Sequence, residues 1–238
     1  MDAQCEEGVE SGHGREDSLK LYLEKGGLSK CGEIIVFQHD DVSFISQSQW
    51  KNNPNDFFDS GKLKLVAILG GEVTERIVQF FSLCENIEAF EIGGVDEGVF
   101  LTPDAAKLFP GFRNLKYLFV SIYNPDEELL EHIANIKTLE GLELFKACFL
   151  NLSPDRRAFY QTSYLTDDSI DRLTPSASIK SIRILGGGED PIAKISIESL
   201  ASLLSMRSLE SLEINKYCFD RSDWPTVLKL MPTTLKLK

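Results

Sequence analysis

Residues 138–144 read Thr138-Leu139-Glu140-Gly141-Leu142-Glu143-Leu144. The order is an apolar residue, two variable ones, an apolar residue, one variable and a last apolar residue. The same spacing returns in Ser208-Leu209-Glu210-Ser211-Leu212-Glu213-Ile214, and as Leu63-Val66-Ile68, Ile87-Phe90-Ile92, Leu115-Leu118-Val120 and Ile179-Ile182-Ile184. Successive copies start 24, 28, 24, 40 and 30 residues apart. The closing step of two is that of a short strand with one face buried. Upstream the step changes to three. Val78, Phe81 and Cys84 precede Ile87; Ala106, Phe109 and Phe112 precede Leu115; Leu130, Ile133 and Ile136 precede Leu139. Ile170, Leu173 and Ser176 precede Ile179, and Leu200, Leu203 and Met206 precede Leu209. Five units of six positions make 30 sites, and only Ser176 is not apolar; composition alone, at 42% hydrophobic, would fill about 13. A step of three is one buried stripe of a helix or 3₁₀ segment. Each unit is therefore helix, turn, strand, and none can bury its apolar side without neighbours, so the units must stack.

The helix starts agree. Thr102-Pro103-Asp104, Asn124-Pro125-Asp126 and Ser153-Pro154-Asp155 each supply a capping side chain, a proline suited to the first helical position and an acid facing the positive end of the dipole. Thr166-Asp167-Asp168 is a fourth start, without proline. The third start lies inside the 40-residue gap, which predicts an inserted short helix near 150–165.

These units resemble leucine-rich repeats, whose strand motif LxxLxL is carried most clearly by residues 138–144 and 208–214. Asn124 to Leu144 is most similar to the cysteine-containing and bacterial subtypes. The resemblance covers about residues 63–238, three quarters of the chain. It implies an α/β solenoid with a parallel sheet on the concave face and helices on the convex face. Cys148 and Cys218 fit the family's turn after the strand loosely; elsewhere Gly70-Gly71, Gly93-Gly94 and Gly186-Gly187-Gly188 stand there and predict tight turns. Trp224 to Lys238 falls out of register and reads as a half unit or a cap.

Stacking assigns the strand residues between the buried positions to outward columns. The middle column reads Ala67, Glu91, Phe119, Glu143, Arg183, Glu213. The column before it reads Leu65, Ala89, Tyr117, Gly141, Ser181, Ser211, and the one after it Leu69, Gly93, Ser121, Phe145, Leu185, Asn215. Tyr117, Phe119 and Phe145 thus gather among Glu91, Glu143, Arg183 and Glu213. Aromatics rimmed by charge make an interface core, unless the insertion folds over them and buries them. A further column, Lys64, Glu88, Lys116, Glu140, Lys180, Glu210, alternates strictly in sign. It reads as a structural ladder with neighbours roughly 4.8 Å apart.

The rest of the chain bounds the organisation and the function. Residues 1–17 are polar, with six acids and one arginine, and read as a disordered tail. Residues 18–60 read as an N-terminal cap, with a strand at Glu33 to Phe37, and 61–238 as the solenoid. The net charge is −12, which disfavours nucleic acid and anionic membranes and favours a basic protein partner. Five cysteines without a CxxC pair argue against a disulfide framework or a zinc site. With no secretory leader and no long apolar run, a cytoplasmic setting is expected. No cofactor or metal is expected, and none of the common hydrolase or nucleotide-binding motifs occurs. His39-Asp40-Asp41 is the one local cluster with acid–base potential, more simply read as a solvated turn. The expected function is non-catalytic protein binding through the concave face, by Glu91, Tyr117, Phe119, Glu143, Phe145, Arg183 and Glu213. Two alternatives are substrate recognition in a ubiquitin-ligase-type complex, against which the absence of a Leu-Pro opening near residue 18 counts, and a hydrolase built on His39, Asp40 and Asp41.

Overall fold

The computed structural model describes residues 33–37, 60–93, 99–122, 128–146, 165–186, 193–231 and 236–237. The apolar steps of two become strands: β1 (Glu33–Phe37), β2 (Leu63–Ile68), β4 (Ala89–Ile92), β6 (Tyr117–Ile122), β7 (Gly141–Lys146), β8 (Ser181–Gly186), β9 (Ser211–Ile214) and β10 (Lys236–Leu237). They form one eight-stranded sheet in that order, every neighbouring pair parallel. Two further short strands, β3 (Glu72–Val73) and β5 (Phe100–Leu101), pair with each other, and Leu165 bridges Ala193 in the same parallel sense. Sequence reasoning did not anticipate these second extended segments, which lead from the turn into the helix. Val73, Leu101, Leu165 and Ala193 are all buried.

The apolar steps of three become the helices α1 (Glu75–Ser82), α2 (Pro103–Ala106), α3 (Leu129–Ala134), α4 (Asp167–Asp171) and α5 (Ile197–Leu204), with a 3₁₀ turn at Phe109–Gly111; α6 (Trp224–Leu230) follows the last full unit. A true α-helix would drift off a step of three. Here the stripe holds because each helix runs on into i→i−3 hydrogen bonds linking the stripe residues themselves. Cys84 N donates to Phe81 O and Ile87 N to Cys84 O; Ile136 N donates to Ile133 O and Leu139 N to Ile136 O; Met206 N donates to Leu203 O and Leu209 N to Met206 O. Of the 30 positions singled out, all are buried except Leu209, which is partly so. Helix residues such as Phe81, Ile133 and Leu203 share one apolar cluster with strand residues such as Phe90, Leu142 and Leu212. All helices with buried residues thus pack on one face of the sheet. At its centre Phe90 meets Phe81 and Phe112 edge to face, at centroid distances of 5.8 and 5.4 Å.

The caps follow the expected grammar where they are described. Thr102 Oγ1 accepts from Ala105 N at 3.3 Å, ahead of Pro103 and Asp104. Thr166 forms a capping box with Ser169. Ser196 adds a cap, accepting from Ser199 N. Gly70, Gly71 and Gly93 have φ of 80°, 86° and 78°, the left-handed turns predicted for the strand exits. At the far end, α6 and β10 replace the slipped register: β10 pairs with β9. Trp224 packs edge-on against Tyr217 at 6.0 Å and donates its indole N–H to Lys216 O.

Neighbouring units are joined along the edge where the chain enters each strand. The amide of Glu88 donates to Lys64 O, Lys116 to Glu88 O, Glu140 to Lys116 O, Lys180 to Glu140 O and Glu210 to Lys180 O, all at 2.7–2.8 Å. The alternating side chains of this column also meet. Lys64 and Lys116 both reach Glu88, at 2.6 and 3.0 Å, and Lys180 reaches Glu140 at 3.1 Å. Burial alone would raise the Glu88 carboxyl, but the two lysine hydrogen bonds outweigh it and hold the group below its ordinary range. Beside this column runs a polar one that sequence reasoning missed. Asn86 Nδ2 donates to Gly61 O, Asn114 Nδ2 to Glu85 O, Thr138 Oγ1 to Leu115 O, Ser178 Oγ to Ile136 O and Ser208 Oγ to Ser176 O. Each residue immediately precedes a strand anchor and ties it to the unit before.

The acidic tail 1–17, most of the cap 18–60, the insertion near 150–165, the starts at Asn124 and Ser153, Cys148, and His39-Asp40-Asp41 lie outside the described residues. Among the described residues no helix is long and apolar enough to cross a membrane.

Phe90→Ala should lower the unfolding free energy in denaturant titration by about 3–5 kcal/mol, because its ring has aromatic partners on both sides. Leu83→Ala, whose side chain is exposed at the end of α1, should change it by less than about 0.5 kcal/mol.

Candidate functional site

The sheet face turned away from the helices carries the predicted columns in the predicted register. Ala67 pairs with Glu91, Glu91 with Phe119, Phe119 with Glu143, Glu143 with Arg183 and Arg183 with Glu213. Alongside, Tyr117 pairs with Gly141, and Ser121, Phe145 and Leu185 follow one another. All seven expected site residues therefore share one face, in adjoining columns.

Their exposure differs from the expectation. Phe119 and Glu143 are each 2% exposed, and Glu91 is 9% exposed. Phe119 is thus not an exposed aromatic, and the expected open aromatic cluster reduces to half-buried Tyr117 and Phe145. Alternation along a strand sets the face a side chain takes, not how deeply that face is covered. Leu65, Ala67 and Ala89 form a second small apolar cluster on this face, with Tyr117 packed against it. Removing that apolar surface from water is favourable, by about 25 cal/mol per Å². The sequence held the signal. Leu63 to Leu69 is a nearly unbroken apolar run, the mark of a parallel strand buried on both faces.

Beyond that apolar patch the face becomes an ion cluster. Arg183 stands between two acids, its Nη1 donating to Glu143 and its Nε to Glu213 Oε2 at 2.9 Å. The Tyr117 hydroxyl donates to the same Glu143 oxygen at 3.0 Å. The side chains of Glu143, Glu213 and Arg183 are 3, 12 and 14% exposed, so the ions are largely out of water. For Arg183, burial favours loss of the proton, but the two glutamates more than offset it and the guanidinium is held charged. Burial and the facing Glu143 carboxylate push the Tyr117 phenol well above its ordinary range, so it remains a hydrogen-bond donor at every physiological pH. Gly141 is what lets the tyrosine lie there. A Cβ at that position would sit 2.8 Å from the Tyr117 ring. A wrong neighbour in this column would strand a buried charge, so the cluster fixes the order of β6 to β9; half-buried Phe145 and Leu185 pair two residues further along β7 and β8.

Other candidates resolve into structure. Cys84 and Cys218 are free and buried; burial pushes the Cys84 thiol up to about 11 and that of Cys218 to about 12. Both are protonated at neutral pH and therefore poor nucleophiles. His132 is half-buried on α3. Among the described residues no group of three or more His, Cys, Asp or Glu side chains could hold a metal ion.

Replacing Arg183 with Met leaves two buried carboxylates facing each other. Arg183→Met should cost about 3–5 kcal/mol in equilibrium unfolding, and the added change Glu143→Gln should recover part of it. A loss below about 1 kcal/mol would contradict the buried cluster.

The chain matches no protein-family model and no curated protein sequence.

Proposed function

We propose that this chain is a leucine-rich-repeat-type solenoid that binds a protein partner and catalyses no reaction. The eight parallel strands in chain order support the solenoid, because each unit adds one strand beside the last and one apolar stripe beneath it. The face on which no described helix packs, the helix-free face, is then the concave one. The observation that carries the binding reading is the arrangement around β7 and β8. Phe145 and Leu185 are paired in register and half-buried, next to an arginine held between Glu143 and Glu213. An apolar pair beside a preorganised ion cluster is what a partner needs for an anchor and an orientation.

The partner-contacting set thereby narrows. Half-buried Phe145 and Leu185 are the contacts proposed at the surface, Tyr117, Arg183 and Glu213 border them in the ion cluster, and Glu91, Phe119 and Glu143 support them from below. The chain's net charge of −12 favours a partner that carries basic groups around an apolar anchor. A cytoplasmic setting belongs to this reading, and the free, buried Cys84 and Cys218 are compatible with it.

The test uses the full chain as bait, with Phe145→Glu and Leu185→Glu as variants whose folding is checked by circular dichroism. Wild type should capture a defined protein from source lysate, and both folded variants should lose it. Retention of that protein by both variants, or no capture specific to wild type, overturns the reading.

A further inference from the structure

The edge at which the chain enters the strands holds a second feature, independent of the helix-free face. An open groove of about 400 Å³ runs across the units of β6, β7, β8 and β9. Its charged lining is Lys116, Lys137, Lys180 and Arg207 against Glu140 and Glu210, four cations to two acids. That local excess of two positive charges sits on a chain whose net charge is −12. Two of the cations have other duties: Lys116 is paired with Glu88 and Lys180 with Glu140. Lys137 and Arg207 are exposed and make no ion pair among the described residues.

The repeat explains why the groove is there. Lys137 and Arg207 occupy the same position in their units, two residues before the strand anchor. In the unit between them that position is Ala177. A small side chain flanked by two long cations leaves a gap with a charged wall on each side. The walls stand two strand spacings apart, roughly 10 Å at the backbone. In an extended peptide, side chains of alternate residues project on one side about 7 Å apart. Two cations in the lining on either side of Ala177 can therefore take two such carboxylates at once. The lining beyond is polar: Ser178 and Ser208 donate their hydroxyl protons to backbone carbonyls, which leaves recognition of a carboxylate to the cations. The interleaved Glu140 and Glu210 disfavour a continuous polyanion such as RNA and suit separated acidic groups.

The geometry points to this groove as a binding site for an acidic peptide segment, with Lys137 and Arg207 taking alternate carboxylates on either side of Ala177. The experiment is fluorescence anisotropy of the full chain with a labelled Glu-Ala-Glu-Ala-Glu peptide, its Lys-Ala-Lys-Ala-Lys counterpart and a uridine hexanucleotide. Wild type should bind the acidic peptide in preference to both others. The double variant Lys137→Glu/Arg207→Glu should weaken that binding by about tenfold or more. Ala177→Leu, which fills the gap without altering charge, should weaken it as well. Lys107→Glu, which removes an exposed cation on another part of the surface, should not. Absence of binding, equal or tighter binding of the uridine hexanucleotide, an unaltered double variant, or an equal loss on Lys107→Glu overturns the proposal. Because no residue of the helix-free face enters this test, its result is separable from that of the partner-capture experiment.

Discussion

No unit of this chain can bury its own apolar side, and the structure depends on how each unit is held to the next. The amides entering β4, β6, β7, β8 and β9 each donate to the carbonyl at the same position one unit back. The polar side chains from Asn86 to Ser208 repeat the tie one residue earlier. The apolar stripe supplies most of the stabilisation but has no direction of its own; any apolar neighbour would do. The hydrogen-bonded edge supplies the register, since a backbone group left unpaired at a buried junction costs about 1–3 kcal/mol. Alternating charge works the same way: Glu88 has a lysine on each side and would face another acid if its unit were mispaired.

The helix-free face is made of two materials. Around β2 and β4 it is apolar and buried, with Leu65, Ala67 and Ala89 forming a small core of their own. From β6 onward it is ionic, centred on Arg183 between two glutamates with Tyr117 donating to one of them. Buried ions add little net stability but strongly penalise wrong neighbours. That combination gives the proposed partner a rigid surface rather than an adaptable one, so association would require little ordering of the chain.

Much of this was legible in the residues. The strand at Glu33–Phe37, the six later strand motifs, their register across the sheet, the stripe of three and the caps at Thr102 and Thr166 all follow from spacing and side-chain chemistry. What spacing could not supply was depth. Phe119 and Glu143 alternate outward as predicted, yet both are buried, because alternation tells which face a side chain takes and not whether that face is covered. The apolar run from Leu63 to Leu69 marked the covered face at β2 alone. The short β3–β5 pairing has no periodic signal, since two residues are too few to show one. The Tyr117–Gly141 contact joins residues 24 apart, and only the register makes sense of that glycine.

The central claim is that the units stack in chain order through their entering edges. Native-state hydrogen exchange, followed residue by residue by NMR, tests it most directly. The amides of Glu88, Lys116, Glu140, Lys180 and Glu210 should all be strongly protected, although their side chains stand at the surface edge, because each is bonded to the preceding unit. Exchange of these five amides at rates close to those of an unfolded chain, with the strand interiors still protected, would contradict the account.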